Sequence, residues 1–324
     1  MDTFVIAEAG ANHNKDFNQA LKLINTAKWA GADAVKFQTY SSETLYSKNT
    51  PDFAGYKNIN QLIKDIELPR EWQKDLKQYC DEIDIEFMST PFDEKAVDEL
   101  VGLGVKRLKI AGFESTDWRF VDMVASTGLS LIISIGIGFE LNKMGYILDI
   151  VEKYGNDLTL LHCNNAYPTP IEDINLKSMT TLGGFKHVKA IGLSDHTTST
   201  LTPSLAVAMG ATVIEKHFTL DNNLPGPDHA FALEPDQLKE MIDNIRLTEI
   251  MLGGSKGEYS KSELDFTKAR RSIVAKSDIK TGDILTVDNI ITKRPYLEGN
   301  VAASEWYNIL GKKSSKNYKP DDFI

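Results

Sequence analysis

The stretch "TFVIAEAGANHNKDFNQALKLINTAKWAGADAVKFQT", residues 3 to 39, holds one whole repeat of the architecture. An apolar, β-prone run (3–10) is followed by "DFNQALKLINTAKWAG" (16–31), where apolar residues recur at intervals of three and four and a glycine closes the element. A second apolar run, "DAVKFQT" (33–39), comes next. Strand, helix and strand in that order predict a parallel βαβ unit, because two parallel strands need a crossover between them. Reading onward, comparable runs recur at "IEFMST" (85–90), "RLKIAG" (107–112), "LSLIISIG" (129–136), "LTLLHCN" (158–164), "VKAIGLS" (188–194) and "TVIEKHF" (212–218). Eight runs alternating with segments of helical period predict an α/β fold of the (βα)8, or TIM-barrel, type.

The chain has 324 residues, enough for such a barrel of about 250 residues plus a small appendage. "EPDQLKEMIDNIRLTEIMLG" (234–253) reads as a last amphipathic helix. The polar segment 254–270 then reads as a linker, and 271–324 as a β-rich domain with turns at "KTGD" and "VDN". The expected division is therefore a barrel over 1–253, a linker over 254–270 and a small domain over 271–324. At about 55 residues the last is marginal alone and should dock on something. A net charge of −10 disfavours a nucleic-acid or anionic-membrane surface, and no apolar run is long enough to span a bilayer. With no leader-like start, and with Cys80 and Cys163 far apart and in no C-x-x-C pair, the chain reads as cytoplasmic.

In a barrel of this kind the active site forms where the strands end, and nearly every run here ends in a reactive group. These are Glu8, Lys36 with Gln38, Ser89 with Thr90, Lys109, Ser134, Asn165 with Tyr167, Ser194 with His196, and Glu215 with His217. Burying several lysines and carboxylates in one mouth is costly unless they pair or bind charged ligands. His196 and His217, on adjoining strands, either share a divalent cation such as Mn²⁺, Mg²⁺ or Co²⁺ or each bond a nearby backbone group. Of the other histidines, His162 reads as a core residue, His187 as a surface one, His13 as a mouth or loop residue, and His229, beside Asp228, as a ligand contact. Lys36 and Lys109, with the donors Thr90, Ser134, Asn165 and Ser194, suit a small molecule carrying carboxylate and phosphate. A Schiff-base lysine is the competing use.

The motifs "IAEAGANHN", "DAVKFQTY", "STPFD", "LKIAGFE", "LHCNNAYPTP", "IGLSDHT", "IEKHFTLD", "GPDHAFALEP" and "ARRSIVAKSDIKTGDILTVDNIITKRP" together resemble the sialic acid synthase family along nearly the whole chain. The resemblance implies a transferase that joins phosphoenolpyruvate to an N-acylated amino sugar, giving a 3-deoxy-2-ulosonic acid and phosphate. It implies a barrel followed by an antifreeze-like (SAF) domain, and a homodimer in which that domain covers the partner's barrel mouth. It would make His196 and His217 the ligands of a divalent metal such as Mn²⁺, and give phosphoenolpyruvate to Lys36, Thr90, Lys109, Ser134, Asn165 and Ser194. Glu8, Gln38, Phe92, Glu114, Tyr167 and Asp228 would face the sugar, with Arg294 reaching it from the partner subunit. Glu8, Lys36, Lys109, Glu215 and Asp228 are the candidates for catalysis, the general base being left open among the carboxylates.

The chain departs from the family pattern at Gly112, where a serine is usual, at Phe113, where a glycine is usual, and at "SIG" (134–136) in place of "STG". Phe113 is similar to the pseudaminic branch, whose sugar is a 6-deoxy bis-acylamino hexose, whereas "GPDH" is similar to the sialic and legionaminic branches. Two other classes are considered. A synthase of a shorter keto acid from phosphoenolpyruvate and a sugar phosphate would need an arginine-rich pocket, absent from the barrel sequence; a non-catalytic sugar-binding relative would not need both histidines and both lysines.

Overall fold

Eight parallel strands follow one another around the first part of the chain, each but the last leading into the next through at least one helix. In chain order these are β1 (Phe4–Gly10), α1 (Phe17–Ala30), β2 (Ala34–Thr39), α2 (Ile59–Ile66), α3 (Trp72–Glu82), β3 (Glu86–Pro91), α4 (Glu94–Gly102), β4 (Arg107–Ile110), α5 (Trp118–Ala125), β5 (Ser130–Ile135), α6 (Met144–Tyr154), β6 (Leu158–Cys163), α7 (Lys177–Leu182), β7 (Val188–Asp195), α8 (Thr202–Ala208), β8 (Val213–His217) and α9 (Pro235–Leu252). This computed structural model describes residues 2–52, 55, 57–254 and 259–324. The strands pair in the order β3-β2-β1-β8-β7-β6-β5-β4, and β3 lies against β4, which brings the two ends of the sheet together as the predicted barrel.

Local chemistry sets the helix ends. Asp16 caps α1 by accepting from the amides of Asn18 and Gln19, and Gly31 ends that helix at φ 92°, a left-handed conformation suited to a residue without Cβ. The alternation of strand side chains sorts the barrel into layers. Ile6, Ala34, Met88, Ile132, Leu161 and Val213 form a buried apolar cluster inside it. Two residues further along those same strands stand Glu8, Lys36, Thr90, Ser134, Cys163 and Glu215, all buried. The intervening positions, such as Val35, Phe37, Leu108 and Ile214, join the larger core formed with the helices. The polar layer is thus a consequence of a period of two applied to strands whose last inward position is polar.

The connection from β2 to β3 contains two helices. Here α2 packs into a separate small cluster, with Ile59 and Ile63 against Tyr40 and with Phe92, Leu45 and Tyr46 beside them.

A second compact unit begins at Gly254. Residues 255–258 of the predicted linker lie outside the described residues, and Lys261–Ala269 forms 3-10 turns capped by Ser260, so that part of the segment has more structure than its composition suggests. Two antiparallel strands, β9 (Ser272–Ala275) and β10 (Ile290–Lys293), and several isolated bridges surround a core of Ile273, Ala275, Ile279, Leu285, Ile290 and Tyr318. Arg294 follows β10 and is exposed. Among the described residues no helix is long and apolar enough to cross a membrane.

Candidate active site

The polar layer is an ion network. Lys36 Nζ lies 2.8 Å from Glu8 Oε2, donates to Thr90 Oγ1 at 2.8 Å and stands 3.7 Å from Glu215 Oε2. Lys109 Nζ donates to Ser134 Oγ at 2.8 Å and stands 3.7 Å from Glu215 Oε1, which also accepts from Ser194 Oγ at 3.1 Å. Gln38 donates to Glu8 Oε1 at 2.8 Å. Two lysines and two carboxylates, all at most 5 % exposed, therefore offset one another.

Burial and pairing divide their protonation. Burial raises the Glu8 pKa to about 7, with Lys36 opposing it and Glu215 adding to it. Burial also works against charge on Glu215, yet Lys109 and Lys36 outweigh it and hold its carboxyl below the ordinary range. Lys36 is held above its usual value because Glu215 and Glu8 overcome burial, while Lys109 is lowered because burial prevails over Glu215. The floor thus holds one firm carboxylate, Glu215, and one firm ammonium, Lys36, beside a carboxyl, Glu8, that changes state near neutrality and a lysine, Lys109, whose charge burial disfavours.

Above the floor, the rings of His196 and His217 face each other with centroids 5.5 Å apart. His196 Nδ1 donates to the Asn164 carbonyl at 2.6 Å, which fixes the tautomer and leaves Nε2 with a free lone pair. His217 Nδ1 has no hydrogen-bond partner among the described residues and stands 3.9 Å from Asp228 Oδ2. Burial keeps both imidazoles neutral, His196 at about 4 and His217 well below its usual value, the latter also repelled by its cationic neighbours. Neutral imidazoles with unused nitrogens fit a divalent cation. Among the described residues no three His, Cys, Asp or Glu side chains cluster to hold a metal, so the remaining ligands would be oxygens of water or substrate.

Gly112 and Gly136 form a slot for Asn165. A Cβ on Gly136 would stand 1.9 Å from Asn165 Oδ1, and one on Gly112 would stand 2.9 Å from the same atom. That oxygen is anchored by the Ile137 amide at 2.8 Å. The glycine at 112 therefore makes room for an amide, and a serine there would push Asn165 out.

Over this floor lies a cavity of ≈ 550 Å³ lined by Gln38, Phe92, Phe113, Asn165, Tyr167, His217 and Asp228, and by a set of residues the sequence reading did not single out. These are Tyr40, Leu45, Tyr46, Leu62, Ile63 and Ile66, which make one wall apolar. Apolar residues at 59, 62, 63 and 66 have helical spacing, and that signal could have marked α2 as a wall. Glu114 lines an adjoining groove, and burial raises its pKa to about 7. Cys163 is buried and free, its thiol pushed up to about 12 by burial, and it belongs to the polar layer, 3.9 Å from His196 Nδ1.

Other assignments change. Ser89 turns away from the mouth to share a hydrogen bond with Thr39 Oγ1 at 2.7 Å. His229, expected as a ligand contact, is fully buried with both ring nitrogens engaged, by Thr219 Oγ1 at 2.6 Å and Asn14 Oδ1 at 3.2 Å; it shapes the loop instead. His13 also shapes a loop, accepting from the Lys15 amide at 3.1 Å and packing on Phe37 and Trp72. His162 is half-buried and its Nε2 bonds the Ile174 carbonyl at 2.7 Å, while His187 is exposed, as expected.

Known proteins resemble this chain along most of its length. Residues 23–257 match the NeuB family model and residues 270–324 match the SAF domain model. The N,N'-diacetyllegionaminic acid synthase of Legionella pneumophila is 42% identical, over 98% of this chain and 92% of that protein. The pseudaminic acid synthase of Campylobacter jejuni (serotype O:23/36) is 36% identical, over 99% and 95%. The crystal structure of an N-acetylneuraminic acid (sialic acid) synthetase from Leptospira borgpetersenii, in complex with citrate, superposes with a TM-score of 0.76 at 34% identity, covering 83% of this chain and 91% of that one. With a family model spanning most of the barrel and relatives similar along the full length, this chain, with its barrel and its SAF domain, belongs to the NeuB family of nonulosonic acid synthases.

Proposed function

We propose that the protein condenses phosphoenolpyruvate with an N-acylated amino sugar, releasing phosphate and forming a nonulosonic acid, a 3-deoxy-2-ulosonic acid with nine carbons. The observation that carries this reading is the floor in which Lys36 and Lys109 sit among Thr90, Ser134 and Ser194 directly below two neutral histidines. The floor supplies charge and hydroxyls for a compact dianion, and the cavity above it has the size and the polar edge for a sugar.

A divalent metal on His196 and His217, Mn²⁺ or another such as Mg²⁺ or Co²⁺, would polarise the aldehyde of the open-chain sugar. Lys36 and Lys109 take the carboxylate and phosphate of phosphoenolpyruvate, and Asn165, held in its glycine slot, adds an amide donor. Gln38, Phe92, Glu114, Tyr167 and Asp228 orient the acceptor. With both substrates fixed, the C2=C3 π electrons of phosphoenolpyruvate form the new bond from C3 to the aldehyde carbon; the carbonyl π bond opens onto its oxygen, which takes a proton, and C2 is left as an oxocarbenium centre. Water then adds at C2, one of its protons passing to a carboxylate; the C2–O bond to phosphate breaks as the remaining hydroxyl gives up its proton, which leaves with the phosphate, and C2 becomes the ketone. Glu8 fits the proton transfer because its raised pKa lets it change state near neutrality; Glu215, held ionised, fits charge stabilisation, and Asp228 lies 3.9 Å from His217. Positioning of this kind contributes several kcal/mol, roughly the scale of effective molarity in oriented reactions. The apolar wall favours a 2,4-diacetamido-2,4,6-trideoxyhexose, with its methyl and two acyl groups, over N-acetylmannosamine.

The test is phosphate release from phosphoenolpyruvate and Mn²⁺ with N-acetylmannosamine and with the two trideoxyhexoses of the legionaminic and pseudaminic routes. Release that needs one of these sugars and stops with a chelator supports the reading; silence with all three rejects it.

We take the active form as a cytoplasmic homodimer in which the SAF domain covers the partner's barrel and Arg294 reaches the acyl group of the sugar. Arg294→Ala should then raise the acceptor KM by about 10-fold or more, the loss of a charged hydrogen bond, with that for phosphoenolpyruvate little changed. An unchanged acceptor KM rejects the lid.

A pH effect follows from Glu8. Above pH about 7 the ionised Glu8 competes with the substrate dianion for Lys36, so the KM for phosphoenolpyruvate should climb as pH rises through that value. The raised pKa also means that ionising Glu8 costs stability, a cost absent at low pH and incurred as pH rises from the normal carboxylate range to about 7. Glu8→Gln should flatten both dependences, measured by initial rates and by melting from pH 5 to 9; an undiminished pH dependence of KM would assign it elsewhere.

A further inference from the structure

Behind the histidines, on the opposite face of the barrel wall, is an ion pair that the reaction does not touch. Lys216 lies between Glu215 and His217, and Asp195 immediately precedes His196. The two are paired in register across β7 and β8, and Lys216 Nζ lies 2.7 Å from Asp195 Oδ2. Both are about 1 % exposed. Lys216 also donates to the Thr197 carbonyl and, at 3.3 Å, to Thr197 Oγ1. Asp195 Oδ1 in turn accepts from the Thr197 amide at 2.9 Å, so the turn carrying His196 is held from both sides. The Thr169 amide, donating to the His196 carbonyl at 2.9 Å, fixes the same turn from the loop after β6.

A buried pair of this kind is weak evidence for stability, since a well-packed apolar pair of similar size often serves as well or better. Its position is informative. It joins the residue before one histidine to the residue before the other, and thereby sets the separation of two imidazoles whose own side chains make no bond to each other. We propose that Lys216 and Asp195 are positioning residues that brace His196 and His217 at the spacing needed to share one divalent cation. The inference rests on the metal reading of the two histidines. Outer partners of metal ligands typically govern affinity by about 10–100-fold, and the brace is expected to act in that range.

The experiment measures Mn²⁺ binding to the full-length protein by electron paramagnetic resonance, without substrates, alongside thermal melting. The Asp195→Leu/Lys216→Met double variant removes the pair without leaving a lone buried charge. It should melt within a few degrees of the wild type, yet bind Mn²⁺ about 10–100-fold more weakly. Lys216→Gln, which keeps length and a donor, should retain a larger share of the affinity, and it serves if the double variant does not fold. His196→Ala separates the two ideas. If His196→Ala abolishes binding while the double variant or Lys216→Gln binds as tightly as the wild type, the brace is wrong and the metal site stands. If His196→Ala binds Mn²⁺ normally, the metal reading itself fails and the brace falls with it.

Discussion

His217→Ala should eliminate metal-dependent phosphate release, by about 10³-fold or more, while the barrel stays folded. The argument for an intact fold is a near-cancellation. The ring packs against Phe231 at 5.3 Å and Tyr167 at 6.0 Å, so its removal loses contacts and leaves a small cavity. It also removes a buried nitrogen that lacks a hydrogen-bond partner among the described residues, a defect worth about 1–3 kcal/mol. The net change in stability should therefore be within about 2 kcal/mol, small beside the catalytic loss. Calorimetric melting and Mn²⁺ titration of the variant separate the two effects. A variant that keeps full turnover would remove the histidine pair from the mechanism.

The same pair shows what the sequence could reveal. His196 and His217 end neighbouring strands, and a period of two along those strands was enough to place them at one mouth. Much of the polar layer was visible for the same reason: Glu8, Lys36, Thr90, Ser134 and Glu215 each stand two residues beyond an apolar inward position. Strand periodicity is local, and local patterns survive in a sequence. What was hidden depends on partners far along the chain. His229 looked available because its neighbour Asp228 is, but its nitrogens are engaged by Thr219 and by Asn14, which is 215 residues away. Gly112 stood out only as a departure from the family's serine; what it makes room for is the amide of Asn165, contributed by another strand end. The apolar wall from α2 was missed because that helix packs on the loops after β2 and β3 and takes no place in the barrel ring.

Lys109→Met should cost about 10²–10³-fold in kcat/KM, the scale for removing one preorganised donor from a charged site. The loss should fall on phosphoenolpyruvate, with KM for the sugar little changed. Methionine approximates the length of the lysine stem, so packing is conserved. Electrostatics sets the stability outcome. Deleting Lys109 removes a group that burial already disfavours in its charged form, but it takes from Glu215 a partner at 3.7 Å. Removing one partner of a buried pair can cost about 3–5 kcal/mol when the remaining charge has no compensation. Here compensation exists, because Lys36 also lies 3.7 Å from Glu215, and Glu8 can release its claim on Lys36 by holding its proton. The expected result is a melting temperature lowered by only a few degrees, with the variant stable enough to assay. That proton should also be held to higher pH, so the pH at which phosphoenolpyruvate binding weakens moves upward. A Lys109→Met protein with wild-type kcat/KM would show that the dianion sits elsewhere, and one that unfolds would show that Glu8 cannot take up the charge as its environment predicts.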